Sequence, residues 1–354
     1  MIRISIEPVW RFRRDGDPQS MLVMLDFLHE IRATGKITRA AESAGMSYRH
    51  AWNLIERWSA FFDAQLVERS QGRGSKLTPL GEKLVWAGQR LQARLGPLLQ
   101  NLSQELETEI NELLPHTAQA VRVHASHGFA VSKLRELLAR ESGIDIDLRY
   151  VTNQNSLMSL AHDGCDLAGV HLPRGELRKP SIAAIKGWLT PANQRAISFV
   201  TREMGLMVKK GNPLNIESLA RLTDPHVRFV NRDPDSGTRL LFDQLLGQQN
   251  IDAATVNGYE QIEFTHAAVA AYVASDMADV TFGVEAAARQ FDLDFINLVT
   301  EDYFFICRKQ TLELDTVNRL LAIMRNTEFQ AAISKLPGYT VSEAGVIKTL
   351  KEML

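Results

Sequence analysis

Hydrogen-bond donors and a flat aromatic ring recur along one side of a short segment near the N-terminus. From Ser47 the chain reads SYRHAWNLIERW, and its apolar residues recur at the 3.6-residue period of a helix. The polar side chains then share the opposite face, where donors of this kind reach phosphates and base edges in the major groove of DNA. The pattern predicts a nucleic-acid contact made by Ser47, Tyr48, Arg49, His50, Asn53 and Arg57.

A glycine turn and a basic hairpin frame this segment. Thr38 is predicted to cap a preceding alanine-rich helix, and Gly45 to end it, because glycine adopts the left-handed backbone of a sharp turn. Residues 66–78 follow as a hairpin with two glycines at its tip. Each piece alone is typical of plain core or of a solvated turn, but their order predicts a winged helix-turn-helix. We expect Arg49, Tyr48 and Asn53 to read bases, and the phosphate contacts to be Arg39, Arg69, Arg73 and Lys76.

A second polar set lies farther along the chain, where predicted strands end and predicted helices begin. Free backbone N–H groups and the helix dipole make helix N-termini anion sites, and hydroxyls add neutral donors. A simple helix cap explains any one of these loops, whereas four loops converging on one cleft predict a site for a small oxyanion. The predicted ligand contacts are Ser126, His127, Asn155, Ser156, Arg232, Ser236, Gly237, Thr238, Arg239, Thr265 and His266.

The sequence gives less support for a catalytic site or a metal site. Residues 235–238 read Asp-Ser-Gly-Thr without the flanking glycines of a nucleophile elbow, and no Gly-Lys-Ser/Thr phosphate loop occurs. His124 and His127 are three apart at a strand end and point to opposite faces, so they are poor joint metal ligands. We predict no catalytic residue, no metal and no cofactor. Cys165 and Cys307 are expected to be buried, reduced thiols.

The length of 354 residues exceeds what one hydrophobic core usually serves, so more than one domain is expected. Residues 1–80 are assigned to the winged helix-turn-helix, residues 81–114 to a linker and dimerisation helix, and residues 119–354 to a ligand-sensing domain. In the last of these, strands alternate with helices, which is typical of a parallel sheet covered on both faces. Residues 205–209 are predicted to cross between two lobes, giving a clamshell with its site at the carboxyl ends of the strands. At the N-terminus, residues 2–12 alternate and suggest a strand before a helix over 20–34.

The predicted linker helix carries one apolar stripe, and a helix this long with such a stripe needs a partner. A second copy is the economical choice, so a homodimer or homotetramer is predicted, with packing on the C-terminal domain as the alternative. Pro97 predicts either a kink or a junction of two helices. The stripe consists of Leu84, Leu91, Leu95, Leu98, Leu102, Leu106, Ile110 and Leu113.

Charge is unevenly distributed along the chain. Residues 1–80 hold 12 Lys and Arg against 9 Asp and Glu, a net of +3, so the total of −2 leaves −5 for the remainder. A basic first segment on an acidic remainder fits a nucleic-acid reader joined to a domain that should not bind DNA. No apolar run approaches the roughly 20 residues of a membrane span, and the N-terminal residues lack the apolar core of a secretory signal. A cytoplasmic protein without membrane contact is expected.

Residues 20–90 resemble the DNA-binding domain of LysR-type regulators and, more closely, of ModE-type molybdate-responsive regulators. The residues that carry this likeness are Ala40, Ala41, Gly45, Met46, Ser47, Tyr48, Arg49, Ala51, Trp52, residues 66–69 (LVER) and residues 77–81 (LTPLG). The resemblance implies an all-α winged helix-turn-helix followed by a long linker helix, bound to operator DNA.

Residues 119–310 resemble the periplasmic-binding-protein-like domain that accompanies ModE-type DNA-binding domains and is related to molybdate- and tungstate-binding proteins. The motifs are residues 166–172 (DLAGVHL), 211–213 (GNP), 228–232 (RFVNR), 236–239 (SGTR), 258–259 (GY), 265–266 (TH), 278–279 (AD) and 283–287 (GVEAA). They imply a two-lobe α/β clamshell of type II in a cytoplasmic, ligand-responsive transcriptional regulator. Two loops depart from the family pattern, Asp233-Pro234-Asp235 and His127-Gly128-Phe129, so formate or another small carboxylate competes with molybdate or tungstate. A cytoplasmic anion-binding protein without DNA function is the alternative from another class.

Overall fold

The computed structural model describes residues 2–14, 17–20, 22–70, 74–114, 120–140, 146–341 and 343–354. It divides into two compact units: Ile6–Gln92 forms one, and Met1–Ser5 joins Ala93–Leu354 in the other. The division falls within the long helix that the sequence assigns to a linker of its own, and the predicted domain boundaries stay predictions. Among the described residues, no helix is both long and apolar enough to span a bilayer.

The N-terminal unit contains two hairpins and a group of helices. Its elements are β1 (Arg11–Arg14), β2 (Asp17–Ser20), α1 (Leu22–Thr34), α2 (Ile37–Ser43), α3 (Tyr48–Phe62), β3 (Val67–Ser70), β4 (Gly74–Leu77) and the start of α4 (Pro79–Glu112). β1 pairs with β2 and β3 with β4, both antiparallel. The helix-turn-helix and the hairpin after it are confirmed.

Helix ends in this unit follow the predicted caps with one exception. The Ser47 hydroxyl accepts the His50 backbone N–H at 3.2 Å, and Gly45 has a φ of +64°, as the turn requires. The Thr38 cap is wrong, because α2 starts at Ile37. Ile37 is only 3% exposed, so its burial holds the first turn without a side-chain cap.

The core of the N-terminal unit joins all of its helices. Ala40, Ala41 and Ala51 are at most 2% exposed, and their small side chains allow close helix packing. Larger side chains fill the space around them, among them Phe27, Leu28, Ile31, Ile55, Trp58 and Leu66. This packing fixes which face of α3 is turned outward.

The predicted strand over residues 2–12 is wrong except at its end, since the strand there is β1. Residues 2–10 form no strand because side chains of α4 satisfy part of their backbone. Asn111 pairs with both the N–H and the C=O of Ile2, at 2.8 and 2.9 Å, and Glu107 accepts the Ile4 N–H at 2.8 Å.

The C-terminal unit is an α/β structure around one ten-stranded sheet. Its strands are β5 (Val121–Ala125), β6 (Ile146–Tyr150), β7 (Leu167–Pro173), β8 (Gln194–Val208), β9 (Phe229–Arg232), β10 (Ile262–Glu263), β11 (Val280–Val284), β12 (Asp294–Arg308), β13 (Tyr339–Thr340) and β14 (Ile347–Thr349). Its helices, after the remainder of α4, are α5 (Phe129–Leu138), α6 (Asn153–Ala161), α7 (Arg178–Ile185), α8 (Gly237–Gln248), α9 (His266–Ala274), α10 (Glu285–Gln290), α11 (Asp315–Arg325), α12 (Thr327–Ser334) and α13 (Leu350–Met353). Short 3₁₀ turns connect several of them.

Two long strands define the sheet. Its order is β10-β9-β11-β8-β12-β7-β5-β6, with β13 and β14 also pairing with β8. The outer pairs are parallel, as predicted, but β8 and β12 are antiparallel to each other and to β11 and β7. β8 carries the chain out of the first lobe, built on β5 to β7, into the second lobe, built on β9 to β11, and β12 returns it. Two crossings made in opposite senses must be antiparallel, so the expectation of a wholly parallel sheet is wrong at its centre.

The apolar cores lie beneath the strand ends that form the candidate site. In the first lobe Phe199, Phe305 and Phe329 pack against buried residues of β5 and α5. In the second lobe Phe242 stacks on Phe229 and packs against Phe282, with ring centroids 4.8 and 5.5 Å apart. These rigid layers hold the loops at the carboxyl ends of the strands in place.

Helix α4 runs through Pro97 without ending. The interpretation of residues 96 and 97 as the junction of two helices is therefore wrong.

Candidate nucleic-acid face and anion cleft

The predicted DNA face of α3 is turned to solvent in the N-terminal unit. Ala51, Ile55 and Trp58 are at most 5% exposed and anchor the helix. The exposed side chains on the other positions are those of Tyr48, Arg49, His50, Asn53 and Arg57. Ser47, at the helix start, is occupied as the cap. The amphipathic pattern therefore separates the buried from the exposed residues of α3 as predicted, and the DNA contacts themselves stay predictions.

The predicted phosphate contacts are less uniform. Lys76 is exposed on β4, and Arg39 is exposed but pairs with Glu42 at 3.1 Å, a pair that a phosphate would have to replace. Arg69 lies in β3 opposite Ser75, although its side chain is outside the description. Arg73 falls outside the described residues.

A cavity of about 480 Å³ opens between the lobes of the C-terminal unit. It lies at the carboxyl ends of β5, β6, β7 and β9 and at the N-termini of α6, α8 and α9. Parallel strands end together at one edge of a sheet, so loops far apart in sequence meet there. The predicted ligand residues that line the cavity are Ser126, His127, Arg232, Ser236, Gly237, Thr238, Thr265 and His266.

Three predicted ligand residues lie outside this lining. Asn155 is exposed, and its backbone N–H donates to Thr152. The fully buried Ser156 hydroxyl donates to the carbonyls of Gly169 and Asn153, at 2.9 and 2.8 Å, so its hydrogen is committed within the first lobe. Arg239 pairs with Asp243 at 3.2 Å and stacks on Tyr259 with its guanidinium 3.8 Å from the ring centroid. Its charge is thus neutralised by its own helix.

Arg232 is the distinctive group of the cavity. Its side chain ends β9, is 8% exposed, and donates from Nη2 to the Phe264 carbonyl at 2.8 Å. Its Nε and Nη1 atoms have no hydrogen-bond partner among the described residues. Burial, with the nearby Arg202 cation, lowers the pKa of Arg232 to about 9, so the guanidinium is still charged at neutral pH.

The neighbouring charges leave Arg232 as the cation available to a ligand. Arg202 also lines the cavity, but Glu301 binds its Nε and Nη2 atoms at 2.8 and 2.7 Å. Asp233 lines the cavity as well, and its carboxylate accepts the Asp235 backbone N–H at 2.8 Å, which holds it in its own loop. The cavity therefore presents a buried positive charge with two unused donors.

Three histidines in the cavity are neutral. Burial lowers the pKa of His127 to about 4 and the pKa values of His171 and His266 well below their usual range, with nearby arginines adding to the effect. His171 stacks on Tyr303 with centroids 3.8 Å apart and approaches Asn153 Oδ1 at 3.2 Å. His266 Nδ1 has no partner in the described part of the chain, and its Nε2 is 3.4 Å from the Thr238 hydroxyl. A neutral imidazole has one nitrogen that donates and one that accepts, so these rings add hydrogen bonds without adding charge.

Several lining residues are absent from the sequence-based prediction. His171 and Arg202 could have been predicted, because each is a polar residue inside an apolar strand. Another part of the wall comes from α4, whose contact with the cleft joins residues far apart in sequence and has no local signal. The α4 residues are Arg94, Leu95, Pro97, Leu98 and Asn101.

The chain belongs to the PBP superfamily: the model of the PBP superfamily domain matches residues 134–325. Residues 22–82 match the bacterial regulatory helix-turn-helix protein family of lysR type. The chain thus joins a lysR-type helix-turn-helix segment to a PBP superfamily domain, which confirms the resemblance and the fold class predicted from the sequence.

Individual relatives are similar over parts of the chain. YvgK of Bacillus subtilis (strain 168) is 33% identical over 199 residues, which are 56% of this chain and 64% of YvgK. The molybdenum transport protein ModE of Herbaspirillum seropedicae is 38% identical over 71 residues, 19% of this chain and 26% of ModE. The chain thus spans less than two thirds of the length of each of these two relatives. The structure of a mutant of Corynebacterium glutamicum OxyR with bound H₂O₂ is 15% identical, covers 91% of this chain and 97% of OxyR, and has a TM-score of 0.47.

Proposed function

We propose that the protein is a DNA-binding transcriptional regulator that responds to a small anion held in the cleft. The observation that carries the proposal is the buried Arg232 guanidinium with two donors unused among the described residues. An unpaired ion inside a protein costs several kcal/mol, which an opposite charge with hydrogen bonds offsets. A bound anion would supply both.

The rest of the lining suits an anion of modest charge. The hydroxyls of Ser236, Thr238 and Thr265 stand at the starts of α8 and α9, where backbone N–H groups and the helix dipole also favour negative charge. Ser236 and Thr265 each already cap a helix, so their oxygens are fixed in position. Fixed donors select a ligand by the positions of its oxygen atoms.

Two kinds of anion remain candidates. Similarity to ModE, a molybdenum transport protein, favours an oxyanion of the molybdate or tungstate type. That similarity spans 71 residues, fewer than the 192 from residue 134 to residue 325, so it does not extend over the whole PBP domain. A small carboxylate, formate included, is the second candidate. The cavity of about 480 Å³ and its apolar wall of Leu95, Leu98 and Phe264 leave room for a carbon skeleton.

Self-association is part of the proposal. Leu98, Leu102, Leu106 and Ile110 repeat on one face of α4 and are 38–56% exposed. Soluble proteins rarely leave such a stripe uncovered, and a second copy of the same helix is a self-complementary partner. A homodimer built on α4 would present two copies of α3 to an operator; a homotetramer would add a second pair.

A ligand panel followed by DNA binding tests the proposal. We expect one of molybdate, tungstate, sulfate, phosphate, formate or oxalate to raise the melting temperature of the full chain. DNA affinity should fall steeply with salt and change when that anion is added. An anion-binding protein without DNA function would bind the same anion, but it would show no salt-dependent affinity for DNA. Failure to bind any duplex at low salt would refute the regulator, and no shift with any anion would refute the sensor.

A further inference from the structure

Helix α4 contacts the second lobe at the edge of the cavity. The Thr265 hydroxyl donates to the carbonyl of Ala93 at 2.9 Å, and Arg94 pairs with Glu263 at 3.5 Å. Pro97 explains why the Ala93 carbonyl is available. Proline has no N–H, so the helical bond from residue 97 to residue 93 cannot form, and the Thr265 hydroxyl supplies a hydrogen instead.

The same helix contacts the first lobe farther along. The Asn101 side chain donates to the Tyr150 carbonyl at 2.9 Å and accepts the Tyr150 N–H at 2.8 Å. Tyr150 ends β6, the edge strand of the first lobe. Between these two attachments, residues of α4 line the cavity. The helix therefore bridges the two lobes across the ligand site.

The Thr265 hydroxyl has a single hydrogen. Its oxygen accepts the Ala268 N–H at 2.9 Å as the cap of α9, and its hydrogen goes to Ala93. Thr265 also lines the cavity beside Arg232, which is bonded to the carbonyl of Phe264, the preceding residue. An anion at Arg232 and the start of α9 would be a stronger acceptor than the Ala93 carbonyl, because hydrogen bonds to charged groups are stronger.

We propose that α4 is a two-ended bridge over the cleft and that a bound anion loosens its second-lobe end by accepting the hydrogen bond that the Thr265 hydroxyl otherwise donates to the Ala93 carbonyl. The Arg94–Glu263 pair then remains at that end. This inference rests on the anion site proposed above. The helix stays attached to the first lobe through Asn101, so ligand binding changes how strongly each lobe holds α4. Since α4 continues from the helix-turn-helix segment along the chain, the exchange links the sensor to the DNA-binding unit.

The chain contains a matched control for the Asn101 attachment. Asn111 lies on the same helix and makes the same pair of backbone bonds, to Ile2 instead of Tyr150. It does not line the cavity. Asn101→Leu removes two hydrogen bonds, and Asn111→Leu removes the equivalent two together with a third to the Glu107 carbonyl of its own helix. Only Asn101→Leu removes the attachment to the sensor lobe.

Hydrogen exchange of the full chain without ligand tests the bridge. We expect Thr265→Val and Asn101→Leu each to speed exchange in peptides covering residues 93–101 by about tenfold, since either change removes hydrogen bonding at one end of the bridge. Asn111→Leu should leave those peptides at the wild-type rate, and Thr265→Ser, which keeps the hydroxyl, should do the same. Unchanged exchange in both bridge variants, or equal acceleration in the Asn111 control, would overturn the bridge.

The loosening step is tested with wild-type protein and the anion found in the ligand panel. Exchange should slow at residues 266–271, where the anion orders the start of α9, and speed up at residues 93–101, where α4 is loosened. We expect the exchange rates of the two segments to change in opposite directions. Slower exchange in both segments would show that the anion does not loosen α4. If no anion binds at all, calorimetry on the wild type shows that the proposed sensor is wrong, while the ligand-free exchange rates still decide the bridge.

Discussion

The two units keep arginine in opposite environments. Arg49 on α3 is exposed and hydrated, and nothing about the fold of the N-terminal unit depends on what it binds. Arg232 is 8% exposed with two donors unpaired among the described residues, so we expect its charge to lower the stability of the C-terminal unit when no ligand is bound. An exposed cation is ready for any duplex at little cost. When a ligand binds a buried cation, that binding also raises the stability of the fold.

The difference also separates recognition by charge from recognition by shape. On the proposed function, exposed donors on α3 contact a large polyanion whose binding is dominated by phosphates and weakens with salt. A guest in the cleft would be surrounded by fixed donors and screened from water, which strengthens each interaction and makes geometry decisive. One region should therefore be sensitive to ionic strength and the other to the identity of single side chains.

We expect Arg232→Gln to have the largest effect. If it had none, the buried cation would not be a ligand contact. We expect anion affinity to fall by about 2–5 kcal/mol, because a buried charge partner is lost. The unliganded variant should melt at the wild-type temperature or above it, since an unpaired ion is removed. Calorimetry and thermal melts measure the two quantities.

Arg239→Gln is the matched control for that variant. Arg239 is equally buried but neutralised by Asp243 and stacked on Tyr259, so its loss should lower stability by about 1–2 kcal/mol and leave anion affinity nearly unchanged. If the two variants exchanged these outcomes, Arg239 would be the ligand cation and the assignment to Arg232 would be wrong.

Acid should weaken the cleft through its histidines. The pKa of His127 is about 4 in the folded chain, below its ordinary value of 6.5, because burial disfavours the imidazolium. The unfolded chain then binds more protons between these values, so stability is fully present above pH 6.5 and is lost as pH falls toward 4.

His127→Gln should remove part of that loss, of the order of 2 kcal/mol between neutral pH and pH 4. Denaturant unfolding at a series of pH values measures it. A wild-type slope in the His127 variant would show that this ring does not titrate as its burial requires.

Sequence patterns predict the two regions unequally, and particular residues show why. The α3 face could be predicted because Ala51, Ile55 and Trp58 lie within eight residues of one another, so helical periodicity alone divides anchors from contacts. The strands and helices of the clamshell were also predictable from local alternation. The antiparallel centre was not, because pairing between β8 and β12 joins residues about 100 positions apart.

The ligand residues of the cleft are predicted from the sequence less completely than its strands and helices. Helix-start signals brought Ser236, Thr238 and Thr265 to one cavity, but they also placed Arg239 beside Arg232 among the predicted ligand contacts, and of these two arginines the cavity is lined by Arg232. Which arginine keeps its charge free depends on Asp243 and Tyr259, and that choice is visible only when the side chains are placed. The wall supplied by α4 depends on Thr265 meeting Ala93, 172 positions away in sequence, a contact that no local pattern encodes.

On the DNA face single contacts are exposed, so their loss should cost less than the loss expected for Arg232→Gln in the cleft. Arg49→Ala is expected to cost about 1–3 kcal/mol on the cognate operator and to flatten sequence preference, if Arg49 reads a base. Lys76→Ala on β4 should weaken binding to all duplexes alike and lower the slope of log affinity against log salt by about 1, since one phosphate contact is lost. Titrations of operator and random duplexes at several salt concentrations separate the two. Equal losses on both duplexes for both variants would mean that α3 holds phosphates as the hairpin does, and the base-reading role of Arg49 would be lost while the exposed-face comparison stood.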